Sequence, residues 1–428
     1  QYLLTRYYRM NNYETLWQPG TDHAGIATQA LVEKKLNSEN IKKNDLGREN
    51  FIKKVWDWKN QYGDIIINQL KKLGCSCDWS RNAFTMDENL SKAVAKVFVD
   101  LYKKKIIYKA KKLVNWDTVL KTAISDLEVD QREVNSKIYY IKYPIDGSNE
   151  YITIATTRPE TMLGDTAVAV SPDDSRYQHL VGKEVVLPIA GRILRIIADP
   201  EIDPEFGTGA VKVTPGHDPL DFEIGQRNNL ETVSVIGYDG VFTEDAGSYV
   251  GMDVIDVRKS VINELEKLDL LDKVVNHQHS VGHCQRCKSV IEPLVSVQWW
   301  VKSKPLAAPA IQAVESGKTK IVPERFKKIY LHWMNNIRDW CISRQLWWGH
   351  RIPVWYCVDC DGDKIHISLK GYSGDLKTAI LNGSELSEVD DRIEMSLITT
   401  DALPIVSLNS PDSCPNCNGN NLFQDPDV

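Results

Sequence analysis

What most restricts the fold of this chain is a change of periodicity partway along it. From Gln1 to about Val134 apolar residues recur at helical spacing, as in Tyr62 to Leu73, closed by Gly74, and in Leu90 to Ile106. Between Lys137 and about Gly237 the pattern becomes short and β-rich, in runs at Lys137 to Ile145, Tyr151 to Thr157, Thr166 to Val170, Glu184 to Ile189, Ile193 to Ala198, Ala210 to Thr214 and Thr232 to Ile236. Gly, Pro and Asp turns separate these runs, and strands at such spacing predict a compact β-barrel. Val254 to Leu268 then reads as a helix, apolar at Val254, Val257, Val261, Ile262, Leu265 and Leu268. After Val281 the helical texture returns, with Trp299, Trp300, Trp333, Trp340, Trp347 and Trp348. A helical flank, a β insert and a helical return describe one domain interrupted by another. The expected boundaries are 1–136 for the first part of the split domain, 137–280 for the insert and 281–428 for the return.

The composition, 42% hydrophobic and 26% charged, is that of a globular protein. No run of about 18 uncharged apolar residues is present, which excludes a spanning helix. The start, Gln1 to Tyr7, shows no targeting signal and no initiator methionine, so a chain trimmed at its front is expected. A net charge of −6 does not point to nucleic acid. Lys103, Lys104, Lys105, Lys109, Lys111 and Lys112 form a local basic run, read as a solvated helix face with a minor RNA contact as the alternative. Four of the nine cysteines, Cys357, Cys360, Cys414 and Cys417, fall in two C-x-x-C pairs, the spacing of a tetrahedral structural zinc, and the zinc-knuckle arm is placed at 356–418. A reducing cytoplasm fits this usage.

Pro19-Gly20-Thr21-Asp22-His23-Ala24-Gly25-Ile26-Ala27-Thr28-Gln29 reads as a breaker followed by a helix, with Thr21 or Asp22 as N-cap and Ala24 to Leu36 helical. Capping alone would account for Asp22. Far downstream stands Ile342-Ser343-Arg344-Gln345-Leu346-Trp347-Trp348-Gly349-His350-Arg351-Ile352-Pro353. Together, in this order, the two stretches resemble class I aminoacyl-tRNA synthetases of the valine, isoleucine and leucine group, and their wording favours the valine branch over the isoleucine branch. The resemblance covers essentially the whole chain. It implies an α/β architecture in which a Rossmann-like catalytic domain, partly present, is split by a β-barrel editing domain. It also implies ATP-dependent attachment of valine to its tRNA, with ATP, Mg, valine and tRNA as cofactors and partners; a monomer is expected, and a cytoplasmic location follows from the missing signals and free cysteines. Asp22 resembles the residue that pairs with the valine ammonium, and Trp348 a wall of the side-chain pocket.

Two patches of the insert, Thr156-Thr157-Arg158-Pro159-Glu160-Thr161 and Phe206-Gly207-Thr208-Gly209 through Lys212 to His217-Asp218-Pro219-Leu220-Asp221, look like the signatures of an editing pocket that hydrolyses mischarged threonyl-tRNA. Valine and threonine are nearly isosteric, so an apolar site rejects threonine weakly; this pair is the standard illustration of the problem, for which a second, hydrolytic site is the remedy. Such a site needs polar partners for the threonine hydroxyl, an anion for the ammonium group and a positioned water. Asp218 and Asp221 stand three apart at the head of a predicted helix and can share one face. By resemblance Asp221 holds the ammonium group and Asp218 reads the hydroxyl, helped by Lys212 and Thr161. Arg158 and Phe206 contact the substrate and the terminal adenosine, and His217 orients water or a sugar hydroxyl. Read without the resemblance, the two aspartates are helix caps and Lys212 a surface residue.

The His-x-Gly-His and Lys-Met-Ser-Lys-Ser signatures that bind ATP in the class are not among these residues, and His23 and His350 do not sit in such motifs. The expectation is an internal piece that does not form adenylate by itself. A third pair, Cys284 and Cys287, lacks the partner cysteines that a second zinc would need in Asn115 to Leu120; with His283 or His279 as the only helpers, it is read as a remnant. The rival readings are a zinc-stabilised tRNA-binding remnant without catalysis, and an isoleucine-type synthetase.

Overall fold

The computed structural model describes residues 1–428 and divides into two compact units, one made of Gln1–Ala110 with Val297–Val428 and the other of Lys111–Ser296. Both α and β structure occur in each. No helix is long and apolar enough to cross a membrane.

In the first unit the helices Gly25–Ser38 and Arg48–Tyr62 turn Val32, Leu36, Phe51 and Val55 inward onto Phe84, Trp347 and Trp348. The predicted N-cap is displaced. Asp22 Oδ1 accepts from the Ala24 N–H at 2.6 Å, a local turn that puts Ala24 itself at the cap position with φ of 48°. The helix read from Tyr62 to Leu73 is also divided, at Gly63, between Arg48–Tyr62 and Asp64–Lys72. Gly20–Thr21 pairs in parallel with Ala83–Phe84, while residues 1–103 go mainly into helices, so an extended parallel sheet of the Rossmann kind is not formed by residues 1–103. A second core gathers Trp299, Val354, Tyr356, Ile365, Ile367 and Phe423. It carries two three-stranded antiparallel sheets, one centred on Val354–Cys357 and the other on Ile365–Leu369.

The basic run departs from its reading as a helix face. The helix Glu88–Lys103 stops at its first lysine, and Lys109, Lys111 and Lys112 lie on the strand Ile107–Asp117. Lys109 donates to the Tyr356 hydroxyl at 2.9 Å, and burial lowers its pKa to about 8.

In the inserted region of the second unit the strands form two open sheets, where a closed barrel was expected; Thr122–Ile124 pairs separately with Ile107–Asp117. One has the order Ala210–Val213, Ala167–Val170, Ile193–Ala198, Glu184–Val186, and the other Leu271–Cys284, Val129–Pro144, Tyr151–Thr156. Closure requires continuous ladders along both seams. Here a lone bridge, Ile145 to Val185, links the sheets, and the run at Thr232 to Ile236 supplies only an isolated bridge from Ile236 to Phe242. Ala167–Val170 is buried along its whole length, as befits a strand covered on both faces. The helix Val254–Lys267 is capped by Asp253 and buries Val257, Val261 and Leu265, the narrow centre of the predicted apolar stripe.

Candidate active sites and a cysteine cluster

Thr161, Arg158, Phe206, Lys212, His217, Asp218 and Asp221 all line one cavity of about 320 Å³ in the second unit. Local geometry explains their convergence. Pro219 opens the helix Pro219–Arg227, and Asp218 Oδ1 caps it by accepting from Leu220 N at 2.8 Å and Asp221 N at 3.1 Å. Asp221 is no cap: it turns back, and its Oδ2 accepts from the Thr214 N–H at 2.8 Å. Burial, reinforced by the Asp218 charge, pushes its carboxyl up to about 7. Phe206 stands half-exposed before a loop that needs glycine, since a Cβ on Gly209, at φ of 79°, would lie 2.8 Å from the Pro204 carbonyl oxygen.

Lys212 is buried rather than a surface residue. Its Nζ donates to Thr161 Oγ1 at 2.9 Å and to the Thr214 hydroxyl, and lies 3.4 Å from Asp165 Oδ1. Asp165 is fully buried and also accepts from Thr214 Oγ1 at 2.6 Å and from the Tyr143 hydroxyl at 2.7 Å. Burial raises its pKa, against the pull of Lys212. Sequence reasoning missed Asp165, Thr214 and Tyr143: Thr214 stands two residues beyond Lys212 in an ordinary strand context, Asp165 meets Lys212 from 47 positions away, and Tyr143 joins the group through Asp165.

His217 has a fixed tautomer. Its Nε2 accepts from Val235 N at 2.9 Å and Ile236 N at 3.3 Å, so Nδ1 carries the proton. Burial, with repulsion from Arg158 and Lys212, drives its pKa down to about 3. The ring ties the cavity wall to the segment 235–236 and offers no basic nitrogen to a water.

A second cavity, of about 500 Å³, lies in the first unit between Thr21, Asp22, His23 and Trp348 on one side and Tyr62, Ile65, Ile66, Ile67 and Leu70 on the other. The two distant sequence stretches meet here through Gln29. Its Oε1 accepts from Trp347 N at 2.9 Å and Trp348 N at 3.1 Å, across 318 and 319 positions of sequence. Trp348 is almost wholly buried, donates from Nε1 to the His23 carbonyl at 2.9 Å and packs edge-on against Trp56 at 5.1 Å. His23 and His350 approach with ring centroids 5.3 Å apart, and burial lowers the pKa of both.

The ligand atoms of Cys357, Cys360, Cys414 and Cys417 lie within 4.8 Å of one another, with Sγ–Sγ separations of 3.5 Å from Cys357 to Cys417 and 3.9 Å from Cys360 to Cys414. Four thiolates about 2.3 Å from a tetrahedral zinc stand about 3.8 Å apart, so the set fits. Backbone N–H groups of Asn416 and Gly419 point at Cys414 and Cys417 Sγ at 3.4 Å, as thiolate ligands require. Cys284 and Cys287 meet Asp117, a carboxylate in the segment 115–120 where a zinc site would have cysteines. Neither His279 nor His283 joins them. Asp117 already accepts from the Val119 and Leu120 N–H groups, from Ser289 Oγ at 3.1 Å and from Cys287 Sγ at 2.9 Å. Burial and the Asp117 carboxylate push the Cys284 thiol up to about 12. Three donors, one of them saturated, do not fit a closed metal shell.

Residues 1–388 match the family model for class I tRNA synthetases (I, L, M and V), and the chain belongs to that family. A valine--tRNA ligase of Pelagibacter ubique is 57% identical over 96% of this chain and 47% of its own length. That of Carboxydothermus hydrogenoformans is 52% identical over 100% of the chain and 44% of its length, and that of Clostridium acetobutylicum 48% identical over the same shares. The chain therefore spans a little under half the length of these relatives.

Proposed function

We propose that this chain is part of a valine--tRNA ligase that attaches valine to its tRNA using ATP and Mg, and that residues 137–280 act as an editing domain hydrolysing mischarged threonyl-tRNA. The observation that carries the hydrolytic reading is the meeting, in one cavity, of a buried carboxyl with a pKa near 7, Asp221, a second carboxylate, Asp218, and a buried ammonium, Lys212. An incoming aminoacyl ammonium group ionises Asp221 and pairs with it. Asp218 and the Lys212–Thr161 pair offer partners to the threonine hydroxyl, which a valine methyl would leave unmatched. Water then adds to the ester carbonyl carbon and the ribose oxygen leaves, giving threonine and free tRNA. His217 holds the wall and takes no proton.

In the first unit Asp22 and Trp348 serve the valine ammonium and side chain, in a cavity whose apolar floor suits a small aliphatic group. Cys357, Cys360, Cys414 and Cys417 hold one structural zinc, which would fasten strand Val354–Cys357 to the loop at Cys414. Metal analysis should give one zinc per chain, falling towards zero in Cys360→Ser; two would restore the Asp117 group as a site. The protein is read as cytoplasmic and monomeric. Deacylation of threonyl-tRNA by the 428-residue chain tests the function, with Asp221→Ala expected to lose at least about 100-fold in rate. A parent chain no faster than spontaneous ester loss would favour the non-catalytic remnant, and an Asp221→Ala variant as fast as an active parent would remove Asp221 from the reaction.

A further inference from the structure

One cation of the polar cavity is held from outside it. Arg158 donates Nε to Glu160 Oε1 at 3.1 Å and one Nη to Glu292 Oε2 at 2.7 Å, while its side chain stays 27% exposed and lines the cavity. Its other Nη makes no hydrogen bond to the protein. Glu160 is wholly buried, and its carboxylate is clasped from the far side by Arg258, with Nε to Oε2 and Nη to Oε1 both at 2.7 Å. Arg258 comes from the helix Val254–Lys267, and neither it nor Glu160 nor Glu292 touches the cavity.

We propose that Arg258 is a positioning residue for Arg158. A carboxylate gripped bidentately by one guanidinium leaves a second only a single-point contact. Arg258 thereby keeps Glu160 from drawing Arg158 into a fork-to-fork pair, and Arg158 retains an Nη for the ligand. The four groups also balance in charge. Without Arg258, two carboxylates would face one cation behind the cavity wall, and the surplus negative charge would repel the phosphate-linked end of a nucleic acid. The inference rests on the editing reading above and adds to it the device that orients the substrate-binding arginine.

The test compares the 428-residue chain with Arg258→Ala and Arg258→Lys. Two quantities are measured: kcat and KM for threonyl-tRNA deacylation, and calorimetric Kd for a hydrolysis-resistant amide analogue of 3′-threonyl-adenosine. Arg258→Ala is expected to raise KM and Kd about tenfold, with kcat within about twofold and the pH profile unmoved, because Asp221 and Lys212 are untouched. Arg258→Lys, which keeps the cation but reaches one oxygen at a time, should fall between. If Arg258→Ala unfolds on melting, the lysine variant decides. Unchanged KM and Kd in a folded variant, or a loss confined to kcat, would overturn the proposal while leaving the editing function standing. A parent chain that neither hydrolyses nor binds would remove both.

Discussion

The two cavities differ in the number of charged side chains that line them. That of the second unit gathers charged side chains, and three of them have a buried counterpart: Lys212 with Asp165, Arg158 with Glu160 and Glu292, Asp221 with the Thr214 N–H. That of the first unit sets Tyr62, Ile65, Ile66, Ile67 and Leu70 opposite Asp22, His23 and Trp348, with Lys59 as its one further charged group and Trp348 as its rigid wall. An apolar wall discriminates by volume, a weak test between isosteres; a polar wall discriminates by leaving an unmatched group desolvated, a strong one. A chain that holds both can select by size in one place and by hydrogen bonding in the other.

Truncating the walls should separate the two principles. Trp348→Ala removes a buried indole packed on Trp56 and Phe84, and is expected to destabilise the first unit by about 3–5 kcal/mol, read by denaturant unfolding. A loss well below 1 kcal/mol would mean that the aromatic wall collapses freely and cannot gauge volume. Lys212→Met is smaller in energy but cuts deeper into chemistry. It strands Asp165 without its cation, costing about 3 kcal/mol, and should abolish threonyl-ester hydrolysis. A stable, active Lys212→Met variant would break the polar half of the comparison.

Asp221→Asn should act in the opposite direction on stability. The folded-state pKa of Asp221, about 7, lies above the ordinary aspartate value of 3.8, so ionisation costs stability as pH rises from about 4 to about 7. Asparagine removes that cost and can still accept the Thr214 N–H. The variant should therefore gain up to about 4 kcal/mol over the parent at pH 8 and little at pH 4, measured by unfolding at the two values. A gain independent of pH would show that the carboxyl is not held up by burial.

The legibility of the molecule followed the range of its interactions. Asp218, Pro219 and the helix they open could be read locally, because caps and N1 prolines act within one turn. The texture change was readable too, since β-branched alternation is a local property. Closure of the sheets was not: whether a seam pairs depends on the twist and register of strands far apart in sequence, and the Thr232 to Ile236 run looks like a strand but finds only one bridge. The partners of Lys212 were hidden for the same reason, as Asp165 lies 47 positions away. Asp117 was not legible because cysteine spacing does not reveal a carboxylate partner brought in from 167 to 170 positions away. Lys109 misled because a lysine-rich stretch reads as solvated, whereas its ammonium group sits over the aromatic faces of Tyr356 and Trp299.

The measurement that bears most directly on the account is the ratio of deacylation rates for threonyl-tRNA and valyl-tRNA by the 428-residue chain, under conditions where both esters are stable alone. A charged cavity that matches a hydroxyl predicts threonyl loss at least about 100-fold faster than valyl loss. Equal rates for the two esters would contradict it, because they would show that the polar wall hydrolyses without reading the side chain.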